Sequence, residues 1–522
     1  MTRQSESRKI LSAALVLATA AITLGGCSYA TSPATGKQFL SPISETQENQ
    51  IGAEEHPKIL AEFGGEYREK PNLNAYVNQV AQSVANKAER KDVKYTFTVL
   101  NSEEINAFAL PGGYVYITRG LLTLANNEAE IAGVLGHEVG HINARHTAAR
   151  AGQQQTAQYG VLGAVLLGQL LGGDSGAQLL GGVAQEGAES YLGKYSQNQE
   201  FEADSLGVRY LTKASYDPQA MASFLDSLNN ETHLEAKIAG NEAAADAYSM
   251  KQSHPRTPDR VQRAIAEANV PIADPQVNQA RFLQQIDGML WGTDPREGVV
   301  KGSTFIHPGL RFAFDAPKGL KLKNSPDAVL GTSSNAAMLF DLASPAPSGS
   351  LTQYVASEWQ KGGKISDVQA FQVNGMEAAT GTATGTINDT PVAIRMVAIR
   401  ASAKTVYRFL YATPPGNFEA MDQRFLASAQ SFREISAQDA AGYRPKRIKV
   451  ITVQAGDTVA SLSQQMQVDE APADWFRVLN HLAANAKLQA GQKVKIVVEG
   501  NPVVSGLPED DMHSEELALA LQ

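Results

Sequence analysis

The spacing of hydrophobic residues changes near residue 300 of the chain. From 45 to 269, apolar residues mostly recur every three or four positions, which predicts helices with one buried face. One such series is Leu73, Tyr76, Val77, Val80 and Val84. Two shorter runs, 95–100 and 113–117, are alternating or β-rich and predict strands. The pattern predicts a mainly α-helical region with a small sheet.

After residue 304, short alternating runs dominate. The runs that predict strands are 310–314, 393–399 and 406–411. Residues 419–429 predict a helix packed on this sheet, so 300–436 is expected to be an α+β domain. It holds His307 but no cluster of catalytic residue types, which indicates a scaffold or partner-binding module. A compact unit at 446–499 and an acidic tail at 500–522 follow.

The N-terminus has the pattern of a secretion signal. Basic residues precede an uncharged run from Ile10 to Leu24, which is too short to span a membrane comfortably and predicts a signal peptide over 1–26. The run Leu24-Gly25-Gly26-Cys27 resembles the lipobox of bacterial lipoproteins. This resemblance implies a diacylated Cys27 and, with Ser28 after it, the inner leaflet of the outer membrane. Residues 27–44 are then a tether.

Composition narrows the remaining classes of protein. The 522 residues carry a net charge of −9, with 43% hydrophobic and 19% charged residues, which is typical of folded domains. A mildly acidic chain is poorly suited to nucleic-acid phosphates, so no nucleic-acid partner is expected. The single cysteine excludes an intramolecular disulfide and a zinc site built mainly from cysteine.

Candidate chemistry is concentrated in His137-Glu138-Val139-Gly140-His141. Asn126 and Asn127 are candidate N-caps of a helix through this motif. Positions 137 and 141 lie about 40° apart around a helix, so both imidazoles can bind one metal ion. Glu138 lies about 100° from His137, where it can reach a water on that metal without being a ligand.

A catalytic zinc needs a third protein ligand. Thr147 stands where a metzincin has its third histidine, and His146, one residue off that spacing, is expected to lie elsewhere. Glu200 and Asp204 share one face of a predicted helix. One of these carboxylates could bind the metal while the other holds a ligand histidine by its distal nitrogen. Glu202 is expected to point away.

These motifs together resemble the HtpX/BepA-like family of zinc metallopeptidases, which are gluzincins related to the CAAX prenyl proteases. The segments that carry the resemblance are 106–122, 137–146 and 200–204. The resemblance implies a zincin-type peptidase domain over 45–290 with one zinc ion per chain. It implies that the zinc ligands are His137, His141 and Glu200. Glu138 would be the catalytic base, and Asp204 would support a histidine.

Other segments also fit the soluble periplasmic branch of that family. Ser253-His254-Pro255 with Arg260 resembles its His-Pro…Arg element, which implies active-site roles for His254 and Arg260. Either side chain could stabilise an oxyanion, or His254 could occupy the open zinc position at rest. Residues 159–182 could form mobile helices over the cleft, touch the membrane, or simply pack as small-residue helices. A strand that could pair with an extended substrate is formed by Asn106, Ala107, Phe108, Ala109 and Leu110.

The C-terminal unit resembles a LysM module. The resemblance lies in 453–458, 479–480 and 488–496, and an insertion around 470–475 departs from the common spacing. It implies a small βααβ fold that binds glycans containing N-acetylglucosamine, and therefore peptidoglycan, through residues 446–499.

The sequence thus predicts a multidomain, lipid-anchored periplasmic zinc endopeptidase that cleaves misfolded or misassembled envelope proteins. Two alternatives stay open. One is a chaperone or assembly factor for outer-membrane proteins that seldom cuts. The other is a peptidoglycan-associated hydrolase.

Overall fold

The computed structural model describes most of the chain. The described residues are 28–151, 195–240, 260, 263, 266–267, 272–324, 328–359, 364–387 and 390–501. Several predictions fall outside them, namely the signal peptide, Cys27, residues 159–182, His254 and the tail beyond 501. Within the described ranges, no helix combines the length and apolar character that a membrane span requires.

The described residues form two compact units. The first comprises the described parts of Glu66–Met289, the residues up to Ile59, and Lys449–Ile496. The second comprises Leu60–Gly65, Leu290–Ile448 and the described residues after Ile496. Most of the predicted LysM-like segment therefore belongs to the same unit as the histidine motif.

Helices dominate the first unit, as the hydrophobic spacing predicts. Its helices are α1 Glu45–Glu62, α2 Pro71–Ala85, α3 Arg119–Leu124, α4 Glu128–Ala144, α5 Gln197–Lys213, α6 Gln219–Ile238 and α7 Gln279–Ile286. Helix α2 starts with proline at its first position, and its five periodic apolar residues, from Leu73 to Val84, are all buried. Helix α4 is buried along its whole length, which makes it the centre of this unit.

Two small sheets accompany these helices. Their strands are β1 Ser28–Thr31, β2 Gln38–Ser41, β3 Thr96–Leu100, β4 Ala107–Leu110 and β5 Tyr114–Thr118. In the second sheet, β5 is central, parallel to β3 and antiparallel to β4, so β4 is an edge strand. A Pro111–Gly113 turn joins β4 to β5 and needs glycine, since Gly112 has φ 81° and a Cβ there would lie 2.7 Å from the Asn49 Cα. Strands β1 and β2 form a hairpin, so the segment predicted to be a tether is paired over 28–41.

The second unit is built mainly from strands. They are β6 Leu290–Trp291, β7 Val299–Lys301, β8 Thr304–His307, β9 Phe312–Asp315, β10 Lys321–Asn324, β11 Ala328–Thr332, β12 Ala337–Leu342, β13 Ser366–Val373, β14 Met376–Ile387, β15 Thr390–Ser402, β16 Thr405–Thr413 and β17 Arg433–Glu434. Its described helices are α8 Leu351–Gln353, α9 Phe418–Gln430 and α10 Ala437–Ala441. One sheet has the order β10-β11-β12-β16-β15-β14-β13 and another the order β17-β9-β8-β7. Phenylalanines such as Phe314, Phe409 and Phe425 fill the core beside α9.

The last described elements follow the order strand, helix, helix, strand. They are β18 Lys446–Thr452, α11 Val459–Ser463, α12 Pro472–Leu479 and β19 Lys493–Glu499. Thr458 and Ser461 form a capping box at the start of α11. β18 and β19 are neighbours in one sheet, and Gly491 has φ 90° in the turn before β19.

Candidate metal centre

Helix α4 holds the histidine motif rigidly. Its N-cap is Asn127, whose side chain accepts a hydrogen bond of 2.9 Å from the Glu130 amide. Within the helix, Glu128 accepts hydrogen bonds from the hydroxyls of Tyr76 and Tyr216. His137, Glu138 and His141 therefore project from a buried helix whose first turn is held by these contacts.

Helix α5 supplies the carboxylates. Ser196 and Gln199 form a capping box at its start, which places Glu200 in the first turn. The two helices approach closely because Gly207 faces the histidine helix. A Cβ on Gly207 would lie 2.7 Å from Met221 Cε and 3.1 Å from the His137 backbone nitrogen. This close packing brings the face of α5 that carries Glu200 and Asp204 against the two histidines.

His137, His141 and Glu200 converge, and all three are buried. The two Nε2 atoms are 3.0 Å apart, and the Glu200 carboxylate oxygens lie 3.6 Å from His137 Nε2 and 3.5 Å from His141 Nε2. Tetrahedral zinc, with bonds of about 2.0–2.1 Å to nitrogen or oxygen, places its ligand atoms roughly 3.3–3.4 Å apart. The donor triangle matches that spacing, and two imidazoles with one carboxylate are a donor set that zinc binds. The residues therefore fit the metal that the sequence predicts.

Asp204 and Arg260 support this triangle from behind. Asp204 Oδ1 lies 2.8 Å from His137 Nδ1, the nitrogen that faces away from the other two donors. Arg260 donates to both Asp204 oxygens at 2.7 Å and also lies 2.7 Å from a Glu200 oxygen. Burial alone would raise the pKa of Asp204, but the Arg260 charge and the hydrogen bonds from Arg260 and His137 outweigh it and lower this pKa. Asp204 is thus held ionised where it can orient His137.

His146 is not part of the metal triangle, as expected, but it lies closer to it than the sequence suggested. Its Nδ1 lies 2.9 Å from His141 Nδ1, directly behind a proposed ligand. Helix α4 ends at Ala144, and Arg145 adopts the left-handed conformation with φ 58°, which turns the next residue back toward His141. The Arg145 guanidinium compensates for this unusual backbone by binding buried Glu48 at 2.9 Å.

Glu202 points away from the metal triangle, as predicted, but toward His146. A Glu202 oxygen lies 3.8 Å from His146 Nε2, and Lys37 donates to the same carboxylate at 2.9 Å. The contact with His146 and the hydrogen bond from Lys37 outweigh burial and lower the pKa of Glu202 to about 2. Burial lowers the pKa of His146, which favours a neutral imidazole beside His141. Tyr195 covers the remaining side of His141, with the rings stacked at 3.9 Å between centroids.

Glu138 lies on the open side of the centre. It lines a cleft of about 60 Å³ together with His137, Asp204 and Arg260. The apolar part of the cleft is formed by Leu121, Val134, Met221, Phe224, Leu225 and Leu228. Asn106 and Ala107 also line it, so the cleft reaches the start of edge strand β4. Phe108, Ala109 and Leu110 continue that strand and are buried.

Sequence reasoning missed two side chains of this centre. His146 follows His141 by five residues. Two side chains at this separation can meet only if the helix ends between them, and this was the one indication in the sequence. Tyr195 carried no signal, because it precedes α5 and reaches His141 only through the packing of the two helices. Of the remaining predicted site residues, Arg260 faces two carboxylates, whereas His254 and Cys27 lie outside the described residues.

Comparisons with protein families agree with this geometry. Residues 71–268 match the model of Peptidase family M48, and residues 451–497 match the model of the LysM domain. The first match contains both helices of the metal centre, and the second covers most of the segment from β18 to β19.

Similar proteins are named as proteases. The beta-barrel assembly-enhancing protease of Escherichia coli is 31% identical over 228 residues, which are 42% of this chain and 46% of that protein. Its namesake in Yersinia pestis is 31% identical over 217 residues, covering 41% of this chain and 42% of that protein. The mitochondrial metalloendopeptidase OMA1 of Schizosaccharomyces pombe is 26% identical over 251 residues, which are 47% of this chain and 69% of that protein. The chain thus spans less than half the length of the first two.

Solved structures add no support. The Ran-binding protein Mog1p of Saccharomyces cerevisiae matches 27% of this chain and 98% of its own, at 12% identity and a TM-score of 0.23. That score is too low to carry an argument about fold.

Proposed function

Because residues 71–268 match the Peptidase family M48 model, and two histidines and a glutamate converge within them, we propose that the protein is a zinc-dependent endopeptidase. The observation that carries this proposal is the donor triangle, whose edges of 3.0, 3.5 and 3.6 Å suit one tetrahedral cation. Relatives named as metalloendopeptidases support the same reaction class.

His137, His141 and Glu200 are the proposed zinc ligands. When bound, zinc supplies a Lewis acid and a water whose pKa is near 7. The Asp204 carboxylate, 2.8 Å from His137 Nδ1, would keep the proton of His137 on that nitrogen and so leave Nε2 free to bind metal. Arg260 neutralises Asp204 and Glu200 together, and this position favours a positioning role over the oxyanion role that the sequence left open.

Glu138 is the proposed general base. It is buried, follows His137 directly in sequence and lines the same cleft as that histidine. In peptide hydrolysis it takes a proton from the attacking water and delivers it to the leaving amine. Burial in a partly apolar cleft suits this role, because it keeps bulk water from competing for the proton.

An unfolded peptide segment is the proposed substrate. Edge strand β4 borders the cleft, and an extended chain can pair with such an edge through its backbone, whatever its sequence. The apolar wall formed by Met221, Phe224 and Leu228 suits a hydrophobic side chain of the kind that unfolded proteins expose. Relatives named for beta-barrel assembly support misassembled envelope proteins as the physiological substrates.

We also propose the location that the N-terminus predicts. Cys27 would carry the lipid anchor at the outer membrane, and the LysM domain would bind peptidoglycan near it. A pull-down of the full chain with purified sacculi tests the second part, and no retention would contradict it.

The test of the main proposal is Glu138→Gln beside Glu54→Gln, an exposed glutamate on α1. We expect Glu138→Gln to bind zinc like wild type and to lose on the order of 10²–10⁴ in the rate of casein cleavage. Glu54→Gln should keep full, chelator-sensitive activity. Unchanged cleavage by purified Glu138→Gln would reject the assignment.

The same preparation separates the alternatives. A chaperone would suppress aggregation of an unfolded protein equally well with and without Glu138. A peptidoglycan hydrolase would release muropeptides from sacculi and leave casein intact.

A further inference from the structure

One lysine of the LysM domain is buried against the peptidase region and not within the core of its own domain. Lys495 lies in β19 and is only 1% exposed. Its Nζ donates to three backbone carbonyls of the peptidase region, at 2.8 Å to Thr123, 3.1 Å to Leu124 and 2.6 Å to Ala125. These carbonyls belong to the last residues of α3 and the residue that follows it.

This arrangement matches the chemistry of a helix C-terminus. The last carbonyls of a helix lack intrahelical donors and carry a partial negative charge, so they stabilise an ammonium group. The carboxylate of Glu130, on the neighbouring helix α4, also interacts favourably with Lys495. A lysine buried without such partners would cost several kcal/mol.

Side chains alternate between the two faces of β19, which shows what buries Lys495. Residues on either side of it in a strand, Val494 and Ile496, point to the opposite face. Both neighbours are buried, so this strand is covered on two faces. Burial of the Lys495 face requires the peptidase region, because its three acceptors all lie there.

Other contacts join the same two regions. The Ser227 hydroxyl on α6 lies 2.8 Å from His481 Nδ1, and Lys237 on α6 pairs with Asp474 of α12 at 2.9 Å. The amide of Val450 donates to Asp287 at 2.8 Å. The Lys237–Asp474 pair and the Val450–Asp287 hydrogen bond are both exposed and contribute little, so Lys495 and Ser227 make the specific contacts.

The elements that receive these contacts also build the cleft beside the metal donors. Helix α3 contributes Leu121 to the cleft wall, just before the carbonyls that bind Lys495. Helix α6 contributes Phe224 and Leu228, which lie on either side of Ser227 in sequence. The LysM domain therefore contacts α3 and α6 from behind the wall that would face a substrate.

We propose that the LysM domain is docked on α3 and α6 as a positioning element of the peptidase cleft, with Lys495 as its anchor. The effect on substrate binding rests on the proposed peptidase function, whereas the docking of the domain does not. It assigns to this domain a second partner, the peptidase region of the same chain, in addition to any glycan.

The test compares Lys495→Met with Lys493→Met in the full chain. Lys493 is an exposed lysine of the same strand, so both variants lose one positive charge and keep an unbranched side chain that is one atom shorter. We expect Lys495→Met to raise hydrogen exchange about tenfold in peptides covering 119–130 and 219–238, because three buried carbonyls lose their donor. With zinc content unchanged, it should raise KM for a fluorogenic peptide about tenfold and change kcat less than about twofold.

Exchange and KM equal to those of Lys493→Met would overturn the proposal. If Lys495→Met does not fold, Ser227→Ala decides, since it removes the hydroxyl that contacts His481. That hydroxyl also donates to the Ser223 carbonyl of its own helix, so exchange is compared on the other side of the contact, in 472–482. A rise of roughly two- to tenfold there would support docking, and no change would overturn it. If wild type cleaves no peptide, the proposed function fails, while the exchange data still decide whether the domain is docked.

Discussion

The change Asp204→Asn separates the orientation of His137, a proposed metal ligand, from the stability of the fold. Asp204 accepts two hydrogen bonds of 2.7 Å from Arg260 nitrogens, and its Oδ1 lies 2.8 Å from His137 Nδ1. Asparagine keeps the shape of this side chain but offers one acceptor oxygen and an amino group. If the oxygen stays with His137, the amino group faces an Arg260 N–H, donor against donor.

The expected loss of stability in Asp204→Asn depends on which contacts of Arg260 remain. Breaking a buried ion pair costs about 3–5 kcal/mol, and Arg260 keeps its contact of 2.7 Å with Glu200, so we expect the lower end, about 3 kcal/mol of unfolding free energy. A misoriented or wrongly protonated His137 should weaken zinc binding roughly 10–100-fold, as loss of an outer partner of a ligand typically does.

The assay has two parts. Urea unfolding of the metal-free protein measures the stability term, and competition with a chromophoric chelator measures zinc affinity. Asp274→Asn is the matched control, because Asp274 is an exposed aspartate of the same unit and its backbone, with φ 51°, tolerates asparagine. If Asp204→Asn binds zinc within about twofold of this control, Asp204 does not orient His137 and the reasoning fails.

Three further predictions concern the same centre. His146→Ala should weaken zinc binding about tenfold, because His141 loses the partner of its distal nitrogen; chelator competition measures it, and unchanged affinity would contradict the contact. The pKa of Glu202 is lowered to about 2, so its contribution to stability is complete above about pH 4.5 and is lost as the pH falls toward 2. Glu202→Gln should therefore flatten the acid limb of metal-free stability between those values, and an unaltered limb in urea titrations would refute this. Removing zinc with a chelator should lower the melting temperature of the first unit, since metal at a thousandfold its Kd stabilises by about 4 kcal/mol; a calorimetric trace that does not move would argue against a bound metal.

Local pattern was sufficient to predict the first half of the metal centre. Two histidines four residues apart share a helix face whatever the helix packs against, so His137 and His141 could be placed together from spacing alone. The start of α4 at Asn127 and the turn at Pro111–Gly113 are equally local, since both depend on the backbone preferences of those residues.

The choice between Glu200 and Asp204 needed more than spacing. From residue types, either carboxylate could be the ligand, because both lie on one face of α5. Packing of α5 against α4 aims Glu200 at both Nε2 atoms and Asp204 at the distal nitrogen of His137. A helical wheel gives the direction of a side chain but not its depth against a neighbouring helix.

The sequence by itself determined the candidates for the chemistry: a histidine pair, a proposed base between them, and two acids on a second helix. Only the tertiary structure decided which groups stand behind them. His146 reaches His141 through one left-handed residue, Arg260 reaches two carboxylates from outside both helices, and Lys495 crosses from a different domain. The physical reason is range: helical periodicity acts over a few residues, whereas buried charges find partners wherever the folded chain brings an opposite charge or a free carbonyl within about 3 Å.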